Sequence, residues 1–499
     1  MSAKHGVILR GLTSVPHSAS FQGKFGRMFR SLSPAQFGLS ETENLANLHK
    51  LGDAMSADFD PPKDGQDDEE SGIPALYTYF GQFIDHDITF DPASTLQKQN
   101  DPNALIDFRT PAFDLDNVYG RGPGDQPYMY DGQAFLLGNK IEGGDPGATD
   151  LPRNNASPAR ALIGDPRNDE NSIVSQLQCL LLRFHNRALK ENPGLSFEDV
   201  QRLVRFHYQY VVMNDFLPRI VHPDVLKHLK TGSNYDLSKL KYFHWKNDPF
   251  MPVEFSVAAY RLGHSMIRPG YRLNDATLLA IFPVPPNFPD GLTGFRAMNS
   301  AWAIDWGRFI DLDTRKYDGT PDENKKRLQF AYRIDTSLVN PLHGLPPSVV
   351  SDSPPSLAER NLVRAWRLGL PSGQSVARAM NLTPLADKEI LIGKAVDVPD
   401  QALGDITAVS SVFKGNCPLW TYILAEAMQH KRSIKIPVQE NISINTPQLG
   451  PVGGRIVAEV FLGLLAGDKS SFLNLDPQWQ PNSGSDYQLK DFVRYALGN

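Results

Sequence analysis

Residues 74–86 read Pro74-Ala-Leu-Tyr-Thr-Tyr-Phe-Gly-Gln-Phe-Ile-Asp-His86, and the chain continues Asp-Ile-Thr-Phe-Asp-Pro92. Pro74 suits the first position of a helix, where its missing N–H is not needed, and a mostly apolar run at helical spacing follows it. Gln82 and His86 are four apart, so on a helix they share a face and can point into one pocket. Asp85 and Asp87 flank the imidazole and are expected to point elsewhere. Three polar residues in a row within an apolar stretch make a plain capped helix end the less attractive reading.

Working outward, further helices are expected over 173–191, 197–216, 252–266, 355–368 and 453–466. Connectors rich in Pro and Gly, such as 283–289 and 342–347, separate them. The 499 residues include 39 Gly and 39 Pro. Length alone suggests about three domains. The interruptions fall between nearly all helices, however, and no single linker divides the chain. Alternating strand runs are few, and there is neither an internal repeat nor a sustained heptad. The expected fold is therefore mainly α: one large helical domain over residues 73–499 with little β-structure. Residues 1–72 read as an irregular N-terminal arm packed on it. The arm ends in an acidic run over 60–72, which reads as a solvated loop.

Composition excludes several classes. Hydrophobic residues make up 41% and charged residues 21%, which suits a globular protein with a sizeable core. The formal net charge is −6, so nothing points to nucleic acid or to an anionic membrane. Cys179 and Cys417 are too few for a disulfide framework or a multi-cysteine metal site, and two buried free thiols are expected. No apolar run approaches the ~20 residues needed to span a bilayer. The apolar stretch in residues 1–10 is too short for a signal peptide, which implies the cytoplasm or a leaderless export route.

Two more clusters stand out. Gly164-Asp-Pro-Arg-Asn-Asp-Glu-Asn171 precedes a helix carrying Leu180-Leu-Leu-Arg-Phe-His-Asn-Arg187. Arg167 and Glu170 are three apart and would align on a helical turn; read blandly, the segment is an acidic N-cap. In Tyr260-Arg-Leu-Gly-His-Ser-Met-Ile-Arg-Pro269, Arg261 and His264 would share a helical face.

Taken jointly and in this order, these motifs resemble the animal-type haem peroxidases of the peroxidase–cyclooxygenase superfamily. The resemblance extends from about residue 73 to 497. It includes Asn361-Leu-Val-Arg364 and Leu449-Gly-Pro-Val-Gly-Gly-Arg-Ile-Val-Ala-Glu459. The short, cysteine-poor form looks like a bacterial member. The resemblance implies haem b, with His264 as the proximal iron ligand and Asn361 accepting its other ring N–H. It implies His86 as the proton shuttle for hydrogen peroxide, Arg167 as the stabiliser of charge on the departing oxygen, and Gln82 as a group positioning water or halide.

Asp85 and Glu170 match the carboxylates that the family esterifies to haem methyl groups, and Arg261 and Arg364 would hold the propionates. Asn171 stands where one chloride-oxidising member has a methionine linked to haem. That departure favours bromide, iodide, thiocyanate or small aromatic donors. Thr110-Pro-Ala-Phe-Asp-Leu-Asp-Asn-Val-Tyr-Gly120 matches the family's calcium loop. Thr110, Ala112 through its carbonyl, Asp114 and Asp116, joined by Asp87, would form an all-oxygen shell suited to calcium.

Two rival readings follow. A fatty-acid dioxygenase of the same superfamily would carry a tyrosine three residues before the proximal histidine, where this chain has Arg261. A catalytically idle haem- or calcium-binding scaffold would need neither His86 nor Arg167.

Overall fold

The computed structural model describes residues 23–90, 106–107, 109–315, 319–347, 349–350, 352–397, 402–437, 442–482 and 484–498. The first ten residues, read above for a signal peptide, lie outside the described residues, as does Asp91-Pro92 at the end of the opening motif. Eight helices of nine residues or more carry the fold: α1 (Glu41–Ala54), α2 (Leu76–Ile88), α3 (Ser172–Glu191), α4 (Phe197–Val211), α5 (Leu357–Arg367), α6 (Leu419–Gln429), α7 (Pro451–Gly467) and α8 (Leu489–Leu497). The β-structure is one three-stranded and six two-stranded sheets among the described residues. The mainly helical expectation therefore holds.

The helices form where apolar periodicity and end signals agree. Asn171 caps α3, its Oδ1 accepting from the N–H groups of Ile173 and Val174 at 3.1 and 3.0 Å. Ser196 and Asp199 form a reciprocal capping box on α4. The stretch expected to be helical over 197–216 runs on through a π-helical turn at Val212–Phe216. α7 is buried on nearly every face, as its apolar composition requires. One continuous apolar core runs from Phe25 to Ala496, so the N-terminal and C-terminal ends of the described chain share it.

Four local expectations are overturned. Pro74 does not open α2; it closes the strand Glu70–Pro74, paired with Phe330, and the helix begins at Leu76. The helix expected over 252–266 is broken into a turn at Val253–Ser256 and a 3₁₀ helix at Ala259–His264, because Ala258 adopts φ −134° and ψ −76°.

The third correction concerns the acidic run, which is not a solvated loop at its end. Asp67 accepts from the Tyr332 hydroxyl at 2.6 Å, and Glu70 pairs with Arg268 and Arg327 in the interior. Those partners lie 198 to 265 residues away, so charge pattern alone misleads. Fourth, the arm is not irregular throughout, since it contains α1, capped by Ser40 with Glu43 three residues on. Its strand Gly23–Gly26 pairs with Met251–Pro252 and with Ile106–Asp107.

Close backbone approach holds the segment 166–170 in place. The Gly294 N–H donates to the Glu170 carbonyl at 2.8 Å, and the Phe295 N–H donates to the Asp169 carbonyl at 2.7 Å. A Cβ on Gly294 would sit 1.9 Å from the Asp169 carbonyl oxygen. Gly294→Ala is therefore expected to cost about 1–3 kcal/mol by forced overpacking. The check is the thermal midpoint, and an unchanged midpoint would contradict this packing.

Candidate active site

α2 presents Gln82, Asp85 and His86 to one cavity of about 420 Å³, and Thr89 and Phe90 just beyond the helix line it too. Asp85 thus does not point away from His86. It lies three residues after Gln82, and positions 82, 85, 86 and 89 form one helical face. Asp87 does turn to the other side. A second wall is the 3₁₀ helix Ala259–His264, which brings Arg261, Gly263 and His264 to the same cavity. α5 adds Arg360, Asn361 and Arg364, and the 3₁₀ helix Pro166–Asp169 with its C-cap adds Arg167 and Glu170. The spacing of three aligns Arg167 with Glu170, and Arg261 with His264, because 3₁₀ side chains at i and i+3 eclipse.

His86 is buried and its Nδ1 lies 2.8 Å from Asn168 Oδ1. Burial, and then the nearby Arg167 guanidinium, push its pKa down to about 4, so the ring is neutral near pH 7. Its Nε2 is 3.6 Å from Glu170 Oε1. Burial raises the Glu170 carboxyl to about 7 although Arg167 opposes the rise. Gln82 Nε2 donates closely to Glu170, and Gln82 Oε1 accepts from Asn171 Nδ2 at 3.3 Å. Here, then, Gln82 is engaged with Glu170 and Asn171.

Arg167 donates to the His86 carbonyl and to Asp165, both at 2.8 Å, and its guanidinium lies 4.5 Å over the Phe90 ring. Arg109 donates to the same Asp165 carboxylate. Burial alone would raise Asp165, but Arg167 and Arg109 outweigh it and hold that carboxyl well below the ordinary range. Two guanidinium groups share the Asp165 carboxylate, and Arg109 also pairs with Asp116.

On the other wall, burial and then Arg261 push His264 down to about 3, leaving a neutral imidazole. Its Nδ1 lies 2.7 Å from the Asn361 amide nitrogen. The two ends of a carboxamide occupy the same space. A half-turn places the carbonyl oxygen against Nδ1–H and turns the Nε2 lone pair to the cavity, the arrangement a metal-binding imidazole needs.

This cavity fits haem in its donor chemistry. Two neutral imidazoles come from separate walls, Arg261, Arg360 and Arg364 bring positive charge, and Asp85 and Glu170 bring carboxylates. A Cβ on Gly263, next to His264, would meet nothing within 4 Å, so the turn leaves open space beside the histidine.

Behind α2, carboxylate oxygens of Asp87, Asp114 and Asp116 lie within 4.8 Å of one another. Both Asp87 oxygens, Asp116 Oδ1 and Thr110 Oγ1 are buried without a hydrogen-bond partner. Burial, then Asp114, raises the Asp87 carboxyl, and burial brings Asp116 up to about 6 even though Arg109 pairs with it. Orphaned, mutually repelling oxygens fit a hard divalent cation. The loop holding Ala112 runs between Thr110 and Asp114, with the Ala112 N–H donating to the Thr110 carbonyl at 2.8 Å.

Sequence reasoning missed Asp165, Asn168, Gln178 and Arg360. Arg360 lines the cavity one helical turn before Arg364, a spacing of four that was there to be read. The other three depend on contacts between segments.

Residues 94–287 match the sequence model of the animal haem peroxidase domain. The chain is 36% identical over 117 residues to chorion peroxidase of Drosophila melanogaster, which is 21% of this chain and 14% of that protein. It is 28% identical over 219 residues to thyroid peroxidase of Homo sapiens, covering 42% of this chain and 21% of that one. The matched stretches thus span about a fifth or less of these relatives' lengths.

In fold the chain is similar to peroxidase A from Dictyostelium discoideum, with a TM-score of 0.57 at 16% identity, covering 95% of this chain and 94% of that one. A fatty acid alpha-dioxygenase of Arabidopsis thaliana gives 0.54 at 14% identity, covering 93% and 76%. The similarity in sequence to animal haem peroxidases thus covers part of the chain. No described helix is long and apolar enough to cross a membrane.

Chelation of divalent cations is expected to lower the thermal midpoint by several degrees, and added calcium to restore it. Asp87→Asn should demand much more calcium for the same recovery. The pH dependence has a definite sign. The unfolded carboxyls ionise near ~4, whereas the folded Asp116 ionises near about 6. The cation-free protein should therefore lose stability as pH rises through that window. A midpoint indifferent to chelator at pH 7.5 would remove the cation reading.

Proposed function

We propose that the chain binds haem b and acts as a hydrogen-peroxide-dependent peroxidase, oxidising bromide, iodide, thiocyanate or small aromatic donors. The observation that carries this reading is the pair of neutral imidazoles, buried His86 and half-buried His264, lining one cavity with Arg167 beside the first. The match of residues 94–287 to the animal haem peroxidase domain supports it. Haem, held by His264 and the cavity arginines, would supply the iron and its redox chemistry.

In this reading His264 holds the iron through Nε2 and hands its Nδ1–H to the Asn361 carbonyl. His86 Nε2 takes a proton from incoming hydrogen peroxide and returns it to the departing oxygen, which leaves as water. Arg167 stabilises the negative charge that gathers on that oxygen. Asp165 holds the Arg167 guanidinium in place for this role. Arg261 and Arg364 bind propionates, joined by Arg360. Gln82 positions water or halide beside His86 once Glu170 is committed elsewhere.

Asp85 and Glu170 are the proposed ester carboxylates. Asn171, which caps α3 and contacts Gln82, offers no methionine sulfur for a link to haem, and the proposal favours bromide, iodide and thiocyanate over chloride on that ground. Calcium, held by Asp87, Thr110, Ala112, Asp114 and Asp116, would brace the helix that carries His86. Residues 73–499 would form the haem domain, with 1–72 packed on it.

The dioxygenase reading gains nothing at the residue level. Tyr260 donates to the Gly81 carbonyl at 3.2 Å and stacks on Phe255 at 4.7 Å, and Arg261 stands where the radical tyrosine would be needed.

The haem-loaded protein should oxidise bromide, iodide, thiocyanate or a phenol with hydrogen peroxide more readily than chloride or a polyunsaturated fatty acid. Complete loading without turnover on any donor would favour the scaffold reading. His264→Ala should change the haem absorption spectrum. His86→Ala and Arg167→Ala should each slow the reaction with peroxide by about 10²-fold or more while haem stays bound. After peroxide treatment, acidic acetone should fail to extract the haem; free extraction would exclude the esters.

A further inference from the structure

We propose that Asn168, braced by Gln178, is a positioning residue that selects the tautomer of His86 and keeps its Nε2 as the proton acceptor facing the cavity. This rests on the peroxidase reading for its consequence, though not for its geometry. All three side chains are interior, with Asn168 and Gln178 fully buried and His86 nearly so. No other ordered donor or acceptor contacts His86 Nδ1 among the described residues.

A neutral imidazole carries one N–H and one lone pair, and the partner of each nitrogen decides which is which. Asn168 could offer His86 either end of its amide. Its Nδ2 donates to Gln178 Oε1 at 2.8 Å, which turns its carbonyl oxygen to His86 Nδ1, also at 2.8 Å. Nδ1 then bears the hydrogen, and the Nε2 lone pair faces the cavity.

The choice is not automatic. Glu170 Oε1, 3.6 Å from Nε2, is an acceptor that would favour the opposite tautomer, in which the base is lost. Reversing both amides would also satisfy the chain, and it would turn the unpartnered Gln178 Nε2 towards Asn168. In the reversed chain Asn168 would donate to Nδ1, which excludes the doubly protonated ring. A carbonyl on Nδ1 serves His86 both before and after Nε2 takes the peroxide proton. Only this direction of the relay supports the whole proton cycle.

The test has two arms on the full-length protein. In the first, the protein is labelled with ¹⁵N-histidine, and His86 is assigned by its loss in His86→Gln. The wild type should show hydrogen on Nδ1 and a free Nε2, while Asn168→Leu should shift hydrogen to Nε2. A wild-type ring already protonated on Nε2 overturns the proposal, whether or not haem is bound.

In the second arm, haem-loaded proteins are mixed with hydrogen peroxide and, separately, with hydrogen cyanide, whose binding also needs a proton acceptor. Asn168→Leu should slow both by about 10- to 100-fold, with haem content and resting spectrum unchanged. Asn168→Asp, which keeps an acceptor at the same place, should recover most of the rate. Gln178→Leu should fall between and guards against a misfolded Asn168→Leu. Equal rates in all variants overturn the proposal. A wild type that shows the expected tautomer but does not react with peroxide would instead overturn the peroxidase reading.

Discussion

One buried carboxylate, Asp165, accepts from both Arg109 and Arg167, and two walls of the cavity hang on that contact. Through Arg167 it reaches the His86 carbonyl on α2, and through Arg109 it reaches Asp116 in the acidic cluster behind the same helix. Removing an anion from water is costly unless cations compensate it, so this group is stable only with both arginines in place. That requirement ties the loop 109–116, the turn 166–170 and α2 into one unit. The acidic cluster and the cavity are therefore mechanically continuous: Asp87 and His86 are neighbours on a helix clamped from both sides.

Desolvation governs the rest of the site. Both cavity histidines are held neutral by burial, with an arginine adding to the effect in each case. A neutral ring can ligate a metal or accept a proton, and a charged one can do neither. Each Nδ1 meets an asparagine carboxamide rather than a carboxylate. The amide orients its ring without adding charge to an already dry pocket.

Much of the site was legible because short spacings survive folding. Gln82 with His86, Arg167 with Glu170, and Arg261 with His264 are local pairs, and each pair lines the cavity. The failures came where distant segments intervene. Glu70 looked like part of a solvated acidic run but meets Arg268 and Arg327 in the core. The helix expected over 252–266 breaks at Ala258, and the resulting 3₁₀ turn carries Arg261 and His264 to the cavity. Asp85 lines the cavity beside His86, because one face of a helix is wide enough to hold positions 82, 85 and 86 together.

The sequence by itself determined the helical class, the cavity histidines, Arg167, Arg261 and Arg364, and the trio Asp87, Asp114 and Asp116. Periodicity and residue chemistry are local properties, and a helix reads them out directly. Only the tertiary structure decided which end of Asn168 faces His86, because that depends on Gln178 one helix further along. Only it decided that Asp165 would balance two arginines and that Gln82 would rest against Glu170. Hydrogen-bond direction and charge compensation are properties of groups brought together from different elements, and no spacing along the chain encodes them.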